Sequence, residues 1–201
     1  LGAYVRRLRY GTGCHLDISM YDAMFVWSNI ALAGALARLA GFEGKPELEV
    51  WGENPRYKTY VTRDKKSVGV CLLEMRTWKV FCDHIQRPDL YTADEGYEDR
   101  HTDHGARKAL YEQAIAEYCA THERDAMVAE MMEAGIPICP VYTPDEAVRS
   151  PEAVERGLVE WFSHPTQGDI PQLVNPLTAS GLTDPHRLPS PELGADTRDV
   201  L

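Results

Sequence analysis

Acidic residues and glycines near the start of the chain are the first candidates for chemistry. Residues 11–23 read GTGCHLDISMYDA, with Asp17 and Asp22 as carboxylates. A carboxylate can act as a nucleophile, but it needs a positioned partner, which this stretch does not show. We therefore interpret Asp17 as the acid at a strand end and Asp22 as the acid at a helix start. Gly11 and Gly13 predict a turn, because a phosphate-binding glycine loop follows a strand and opens a helix.

A polar loop between two helical patterns holds a second set of candidate ligands. His101, Asp103 and His104, with Asp99 nearby, have side chains that bind metals. Zinc sites require such side chains at a spacing that converges on one point, and this loop has no helical register to provide it. We interpret the loop as solvated and predict no metal site.

Glu74 lies between a predicted hairpin and a predicted helix. Strands over 57–62 and 67–73 enclose a charged turn, and apolar residues then recur with helical spacing over 75–85. A carboxylate at this junction can orient a substrate or accept a proton if it faces a dry cleft. Alternatively, it only stabilises the helix N-terminus through the helix dipole.

The apolar run over 23–39 is the longest in the chain. Ser28, Asn29 and Arg38 interrupt it, so it is too short and too polar to cross a bilayer. We predict one buried helix that ends at Gly41. The sequence shows no signal peptide.

The remaining patterns predict an alternation of helices and strands. Thr143-Pro144-Asp145-Glu146 is a capping box, and Ser150-Pro151-Glu152 starts a helix in the same way. Gly135 is expected to end a helix. The other predicted elements are helices over 1–9, 106–118 and 124–134, strands after Gly13 and over 136–141, 157–162 and 170–175, a linker over 43–55, and an extended tail from residue 176.

Composition restricts the class of partner and the compartment. The 201 residues are 44% hydrophobic, which is sufficient for a core, and the net charge is −10. This charge argues against a nucleic-acid ligand, because binding to phosphates requires clustered Lys and Arg. The five cysteines show no Cys-x-x-Cys spacing and predict neither a disulfide framework nor a zinc site. A reducing cytoplasm is the expected location, with no membrane partner.

Six segments, in this order, resemble the family III CoA-transferases (CaiB/BaiF), which include formyl-CoA and carnitine CoA-transferases and the related alpha-methylacyl-CoA racemases. The segments are GTGCHLDISMYDAM at 11–24, NPRYKTYVTRDKKSVGVCLLE at 54–74, QRPDL at 86–90, AGIPICPVYTPDEAV at 134–148, RGLVEWFSHPTQG at 156–168 and LGADTRDVL at 193–201.

The resemblance implies an incomplete α/β fold. It assigns 1–44 to part of a Rossmann-like large domain, 45–142 to a smaller α+β domain, and 143–201 to the return into the large domain and a C-terminal tail. Family members form interlocked homodimers. The resemblance further implies that this chain is a C-terminal portion, so we expect a missing N-terminal half or a partner polypeptide that supplies it.

The implied activity moves CoA between an acyl-CoA and a carboxylic acid through an enzyme aspartyl intermediate. In the family this aspartate lies upstream of the helix with which this chain opens, so the nucleophile is absent from this chain and the isolated chain is expected to be inactive. CoA is then a thioester substrate, and no cofactor is expected. The alternatives are an alpha-methylacyl-CoA racemase or epimerase, and a non-catalytic partner subunit.

The resemblance also assigns site residues. Glu74 matches a glutamate that reaches the active site in the racemases, and Tyr57 matches a tyrosine beside the acyl group. An ordinary strand aromatic is the other interpretation of Tyr57. Gly52 and Asn54 lie where formyl-CoA transferase carries a glycine-rich flap, and both are predicted to bind substrate.

Overall fold

The computed structural model describes residues 1–43, 52–96, 101–175 and 190–201. They combine helices with antiparallel sheets and divide into two compact units, Leu1–Val141 and Tyr142–Leu201. Among these residues, no helix combines the length and the apolar character that a membrane span requires. The predicted linker over 43–55 and the tail from 176 lie largely outside the described residues. The three-part domain division stays a prediction.

The first unit begins with three helices, α1 (Gly2–Tyr10), α2 (Met20–Trp27) and α3 (Asn29–Leu39). The single helix predicted over 23–39 is therefore wrong. Ser28 separates α2 from α3, and its hydroxyl donates to the carbonyl of Met24 at 2.9 Å. This local bond competes with regular helix hydrogen bonding.

The predicted burial of this region is wrong as well. Gly34 is the one buried residue of α3, and Trp27 at the end of α2 is 83% exposed. Amphipathicity is weak here, because apolar residues surround α2, and a helix of this kind is buried only if other elements cover it. The described part of the chain contains no element that does so.

Residues 11–19 connect α1 to α2 without regular structure, so the predicted strand there is wrong. A strand needs a neighbour to bond its backbone, and the described residues offer none to this segment. The predicted turn is confirmed at Gly11, whose φ of 71° ends α1 while its N–H donates to the carbonyl of Arg7. Ser19 then caps α2 by accepting from the N–H of Asp22 at 3.2 Å.

A three-stranded antiparallel sheet forms the centre of the first unit. Its order is β1 (Tyr57–Val61), β2 (Ser67–Cys71) and β3 (Ile138–Val141). The predicted hairpin is confirmed, and so is the strand predicted over 136–141, which is two residues shorter than expected. Pro140 lies on the β3 edge, where its missing N–H removes no ladder bond.

Helices cover one face of this sheet. They are α4 (Met75–His84), α5 (Lys108–Thr121) and α6 (Arg124–Glu133), with short 3-10 turns at Pro88–Leu90 and Gly105–Arg107. Trp78 of α4 and Tyr111 of α5 meet edge to face with ring centroids 4.9 Å apart. Val68 and Val70 supply the sheet side of this core. The residues that alternate with this core along β2 form the other face of the sheet, which no described element of this unit covers and which we call the open face.

The second unit is smaller and follows its capping signals. It contains α7 (Pro144–Ala147), α8 (Pro151–Glu155), the antiparallel pair β4 (Val159–His164) and β5 (Gly168–Leu173), and α9 (Thr197–Val200). The capping box is confirmed, since the Thr143 hydroxyl accepts from the N–H of Glu146 while the Glu146 carboxylate accepts from the N–H of Thr143. Ser150 caps α8 by accepting from the N–H of Ala153.

Candidate active site

Tyr57 and Cys71 are directly opposite each other in the sheet of the first unit. Both side chains belong to the open face, and Tyr57 is 39% exposed. Side chains of directly opposed residues lie about 4.5–5.5 Å apart at their Cβ atoms. Cys71 is therefore the nearest cross-strand neighbour of the tyrosine that the sequence singled out.

Glu74 lies three residues beyond Cys71, as the N-cap of α4. Its side chain is exposed and makes no capping hydrogen bond, while its carbonyl accepts from the N–H of Trp78 and the hydroxyl of Thr77 at 2.9 Å. The carboxylate is close enough to Cys71 to contribute to the raised pKa of that thiol, which burial raises first and Cys139 second. The structure thus brings Tyr57 and Glu74 to the same end of the hairpin.

Gly52 and Asn54 precede β1 and do not share this arrangement. Gly52 has a φ of 70°, which favours glycine, and Asn54 is fully buried. The Asn54 Oδ1 accepts from the N–H of Arg56 at 2.9 Å, and the Asn54 carbonyl accepts from the N–H of Tyr57. Asn54 shapes the entry into β1, and its substrate-binding role, like that of Gly52, stays a prediction.

A buried charge beneath this site was not among the sequence-based expectations. The guanidinium of Arg56 is fully buried, and it donates to the carbonyls of Leu72 at 2.8 Å and Leu73 at 2.7 Å. Its Nη1 binds both carboxylate oxygens of Glu95, and its Cζ lies 4.8 Å from the ring centre of Trp78. Arg56 thereby fixes the two residues that lead from β2 to Glu74.

One signal for Arg56 exists in the pattern of the strand. Position 56 precedes β1 and falls by strand alternation on the same side as the buried Tyr60, so a charged residue there requires a buried partner. Desolvation lowers the pKa of Arg56, and the Glu95 carboxylate opposes that change. The partner is 39 positions away in the sequence, and spacing alone does not identify it.

The other candidate residues are dispersed. Asp17 lies in the irregular segment, where the predicted strand end is wrong, and Asp22 lies in the first turn of α2 as predicted. The expectation of a solvated loop is wrong at His104, whose side chain is 5% exposed and whose Nδ1 lies 3.5 Å from Glu95 Oε1. Asp99 is outside the described residues. Over the described ranges, no group of three or more His, Cys, Asp or Glu side chains is placed to hold a metal ion.

Known proteins of one family are similar to this chain. The model of CoA-transferase family III matches residues 1–197. An acetyl-CoA:oxalate CoA-transferase from Acetobacter aceti is 29% identical over 192 residues, which are 93% of this chain and 46% of that protein. A probable CoA-transferase, Rv1866 of Mycobacterium tuberculosis, is 28% identical over 160 residues, which are 75% of this chain and 19% of that protein.

Solved structures show the same fold. A CaiB/BaiF family protein from Brucella suis aligns with a TM-score of 0.65 at 20% identity, over 99% of this chain and 50% of that chain. The orthorhombic form of Rv3272 from M. tuberculosis aligns with a TM-score of 0.63 at 18% identity, over 87% of this chain and 44% of that chain. The chain spans half or less of the length of these relatives. With the family match extending over 1–197, this chain belongs to CoA-transferase family III.

Proposed function

We propose that this chain is the C-terminal portion of an enzyme that moves CoA between an acyl-CoA and a carboxylic acid. The observation that carries the proposal is the family match over residues 1–197. The relative from Acetobacter aceti, named an acetyl-CoA:oxalate CoA-transferase, supports a small acyl-CoA and a carboxylate acceptor as the substrate classes. CoA is a substrate in this proposal, and the chain requires no cofactor.

The reaction would proceed through an aspartyl intermediate whose aspartate lies outside residues 1–201. In the proposed sequence, the aspartyl carboxylate takes the acyl group to form an anhydride and releases CoA, and CoA then forms an aspartyl thioester while the first acid leaves. The acceptor carboxylate reverses both steps. The missing half or partner polypeptide would supply this aspartate, and an interlocked homodimer is the proposed assembly.

The position of Tyr57 and Glu74 supports a role for both at the acyl group. Both belong to the same end of the hairpin, and Arg56 fixes the backbone before Glu74 through Leu72 and Leu73. In this proposal Tyr57 contacts the acyl chain, and the Glu74 carboxylate orients the thioester or accepts a proton. In this proposal Gly52 and Asn54 contribute to the substrate site from the segment before β1.

CoA exchange tests the proposal directly. The naturally expressed protein is incubated with acetyl-CoA and isotopically labelled oxalate, and the products are identified by mass spectrometry. We expect label in an acyl-CoA together with release of acetate. A second incubation uses a 2-methylacyl-CoA in D₂O. Because CoA transfer between carboxylates does not exchange the α-proton, no deuterium should enter the α-position.

The alternatives give different products in the same assay. A racemase or epimerase would incorporate deuterium without moving CoA, and a non-catalytic subunit would do neither. The names of the relatives above favour transfer, while the racemase alternative rests on the resemblance of Tyr57 and Glu74 to the tyrosine and glutamate of the family's racemases.

A further inference from the structure

The open face of the three-stranded sheet carries small side chains beside Tyr57. Cys71 is opposite Tyr57 on β2, and Gly69 lies two residues earlier on the same face. Gly69 is opposite Cys139 of β3, so the two thiols lie on adjacent strands of one face. We refer to Gly69, Cys71 and Cys139 as the thiol patch.

Gly69 makes room for the Cys139 thiol. A Cβ at position 69 would lie 3.2 Å from the Sγ of Cys139, which is closer than ordinary van der Waals contact. The same sulfur lies 3.7 Å from the Gly69 carbonyl oxygen. The thiol of Cys139 therefore covers the glycine, and sulfur atoms of Cys139 and Cys71 line the face beside Tyr57.

The chemistry of this patch is apolar. Burial, Cys139 and Glu74 each raise the pKa of Cys71, so its thiol is protonated at neutral pH. A neutral thiol behaves as a small hydrophobic group, whereas a thiolate would be a nucleophile or a metal ligand. The matching ligand chemistry is an alkyl or acyl chain with its polar end toward the exposed Glu74.

We infer that Cys71 is a specificity-determining residue, whose thiol limits the size of the acyl group that lies against Tyr57. The inference rests on the proposed function, because it takes the acyl-CoA as the occupant of this face. Three observations support that occupant: the direct pairing of Cys71 with Tyr57, the Cys139 thiol that lies over Gly69 on the same face, and the carboxylate three residues beyond Cys71.

A change of size at position 71 tests the inference in the naturally expressed protein. Cys71→Leu should lower kcat/KM for butyryl-CoA relative to acetyl-CoA by at least about tenfold, since each methylene that a pocket accepts or rejects changes the rate by about 10-fold to 200-fold. Cys71→Ala should shift the ratio in the opposite direction. The rates with one acceptor acid give the comparison.

Ser67→Leu provides the matched control. Ser67 is on the same strand and the same face, opposite Val61, and is about 13 Å from Cys71 at the rise of an extended strand. The added volume is similar, but it lies at the far end of the hairpin from Tyr57. We expect Ser67→Leu to keep the acyl preference of the wild type, and an equal shift in both variants would overturn the inference.

A binding measurement separates this inference from the proposed function. The wild type is treated with iodoacetamide in the presence of S-methyl-CoA or S-butyl-CoA, two unreactive thioethers. Peptide mass spectrometry then measures how fast Cys71 is labelled. We expect S-butyl-CoA to slow labelling of Cys71 more than S-methyl-CoA does. Protection without CoA transfer would reject the proposed function and keep the acyl site. Equal labelling with both thioethers, with or without transfer, would reject the acyl site at Cys71.

Discussion

The guanidinium of Arg56 and the carboxylate of Glu95 form a buried ion pair beneath the candidate site. The Nη1 of Arg56 lies 2.6 Å from Oε1 and 2.8 Å from Oε2 of Glu95, and the two side chains are 0% and 6% exposed. The Nε and Nη2 of the guanidinium donate to the carbonyls of Leu72 and Leu73. The pair therefore joins the loop at Glu95 to the backbone that leads to Glu74.

Loss of the Glu95 charge should destabilise the first unit. Glu95→Gln leaves the Arg56 cation buried without a counter-charge, and breaking a buried pair in this way costs about 3–5 kcal/mol. Urea denaturation followed by circular dichroism measures the change in the free energy of unfolding.

The exposed pair between Arg63 and Glu123 serves as the control for that substitution. Its side chains are 60% and 61% exposed, and solvent screens their interaction. Glu123→Gln should therefore change the free energy of unfolding little. Equal losses in the two variants would show that burial does not distinguish these pairs.

Gly69 should tolerate a side chain only if Cys139 gives up its position. Gly69→Ala places a methyl group 3.2 Å from the Sγ of the exposed Cys139, so the thiol must shift by a few tenths of an ångström, and the cost should not exceed the low end of overpacking, about 1 kcal/mol. Cys139→Ala removes the sulfur, so the double variant should recover most of the loss. A double-mutant cycle of unfolding free energies measures the coupling, and additive effects would contradict a direct contact.

Local signals were sufficient where a few neighbouring residues determine the structure. The capping box at Thr143 and Glu146, the charged turn of the β1–β2 hairpin, and the helical spacing of α4 each depend on contacts within about one turn or one hairpin. The structure confirms all three. The placement of Tyr57 and Glu74 at one end follows from the same hairpin.

Long-range pairing could not be obtained from these signals. Glu95 binds Arg56 across 39 positions of the sequence, and no periodic pattern around either residue predicts that the two are in contact. The prediction of a strand after Gly13 is wrong for a related reason. Alternation of apolar and polar residues indicates which face a strand would bury, but it does not supply the neighbouring strand that its backbone must bond. Burial of the run over 23–39 likewise depends on elements that hydrophobicity does not identify.

His164 should hold the turn between β4 and β5 and the segment at Ser190. Its Nδ1 accepts from the N–H groups of Thr166 at 3.3 Å and Gln167 at 3.2 Å, and its Nε2 lies 3.0 Å from the Ser190 carbonyl oxygen. His164→Ala removes these bonds, so the amides of Thr166 and Gln167 should exchange faster with D₂O.

His164→Asn is the matched variant for this turn. The Asn Oδ1 can replace the accepting Nδ1, while nothing replaces the bond to Ser190. Amide exchange at Thr166 and Gln167 should then stay near the wild-type rate, as measured by mass spectrometry of exchanged peptides. Fast exchange in both variants would mean that ring packing, and not the Nδ1 acceptor, orders the turn.

The buried thiols of Cys82 and Cys119 should make the protein sensitive to alkali. Burial raises the pKa of each thiol to about 12, whereas a cysteine in an unfolded chain has a pKa of about 8.5. Above about pH 8.5 the unfolded chain releases these protons and the folded chain keeps them, so the unfolded state binds fewer protons and stability falls with rising pH. Their stabilising contribution is complete below about pH 8.5 and is lost as the pH approaches 12.

Cys119→Ala should reduce the slope with which the free energy of unfolding falls as the pH rises, even though the cavity it creates lowers stability at neutral pH. The free energy of unfolding, measured by urea denaturation from about pH 7 to about pH 10, gives the slope for each protein. Cys14→Ala is the control, because Cys14 is exposed and its removal should leave the slope of the wild type.

Iodoacetamide should also label the exposed Cys14 and Cys139 in the native protein, while Cys82 and Cys119 should react only after denaturation. Equal slopes for Cys119→Ala and the wild type, together with native labelling of Cys119, would show that this thiol is ionised or accessible in the folded protein.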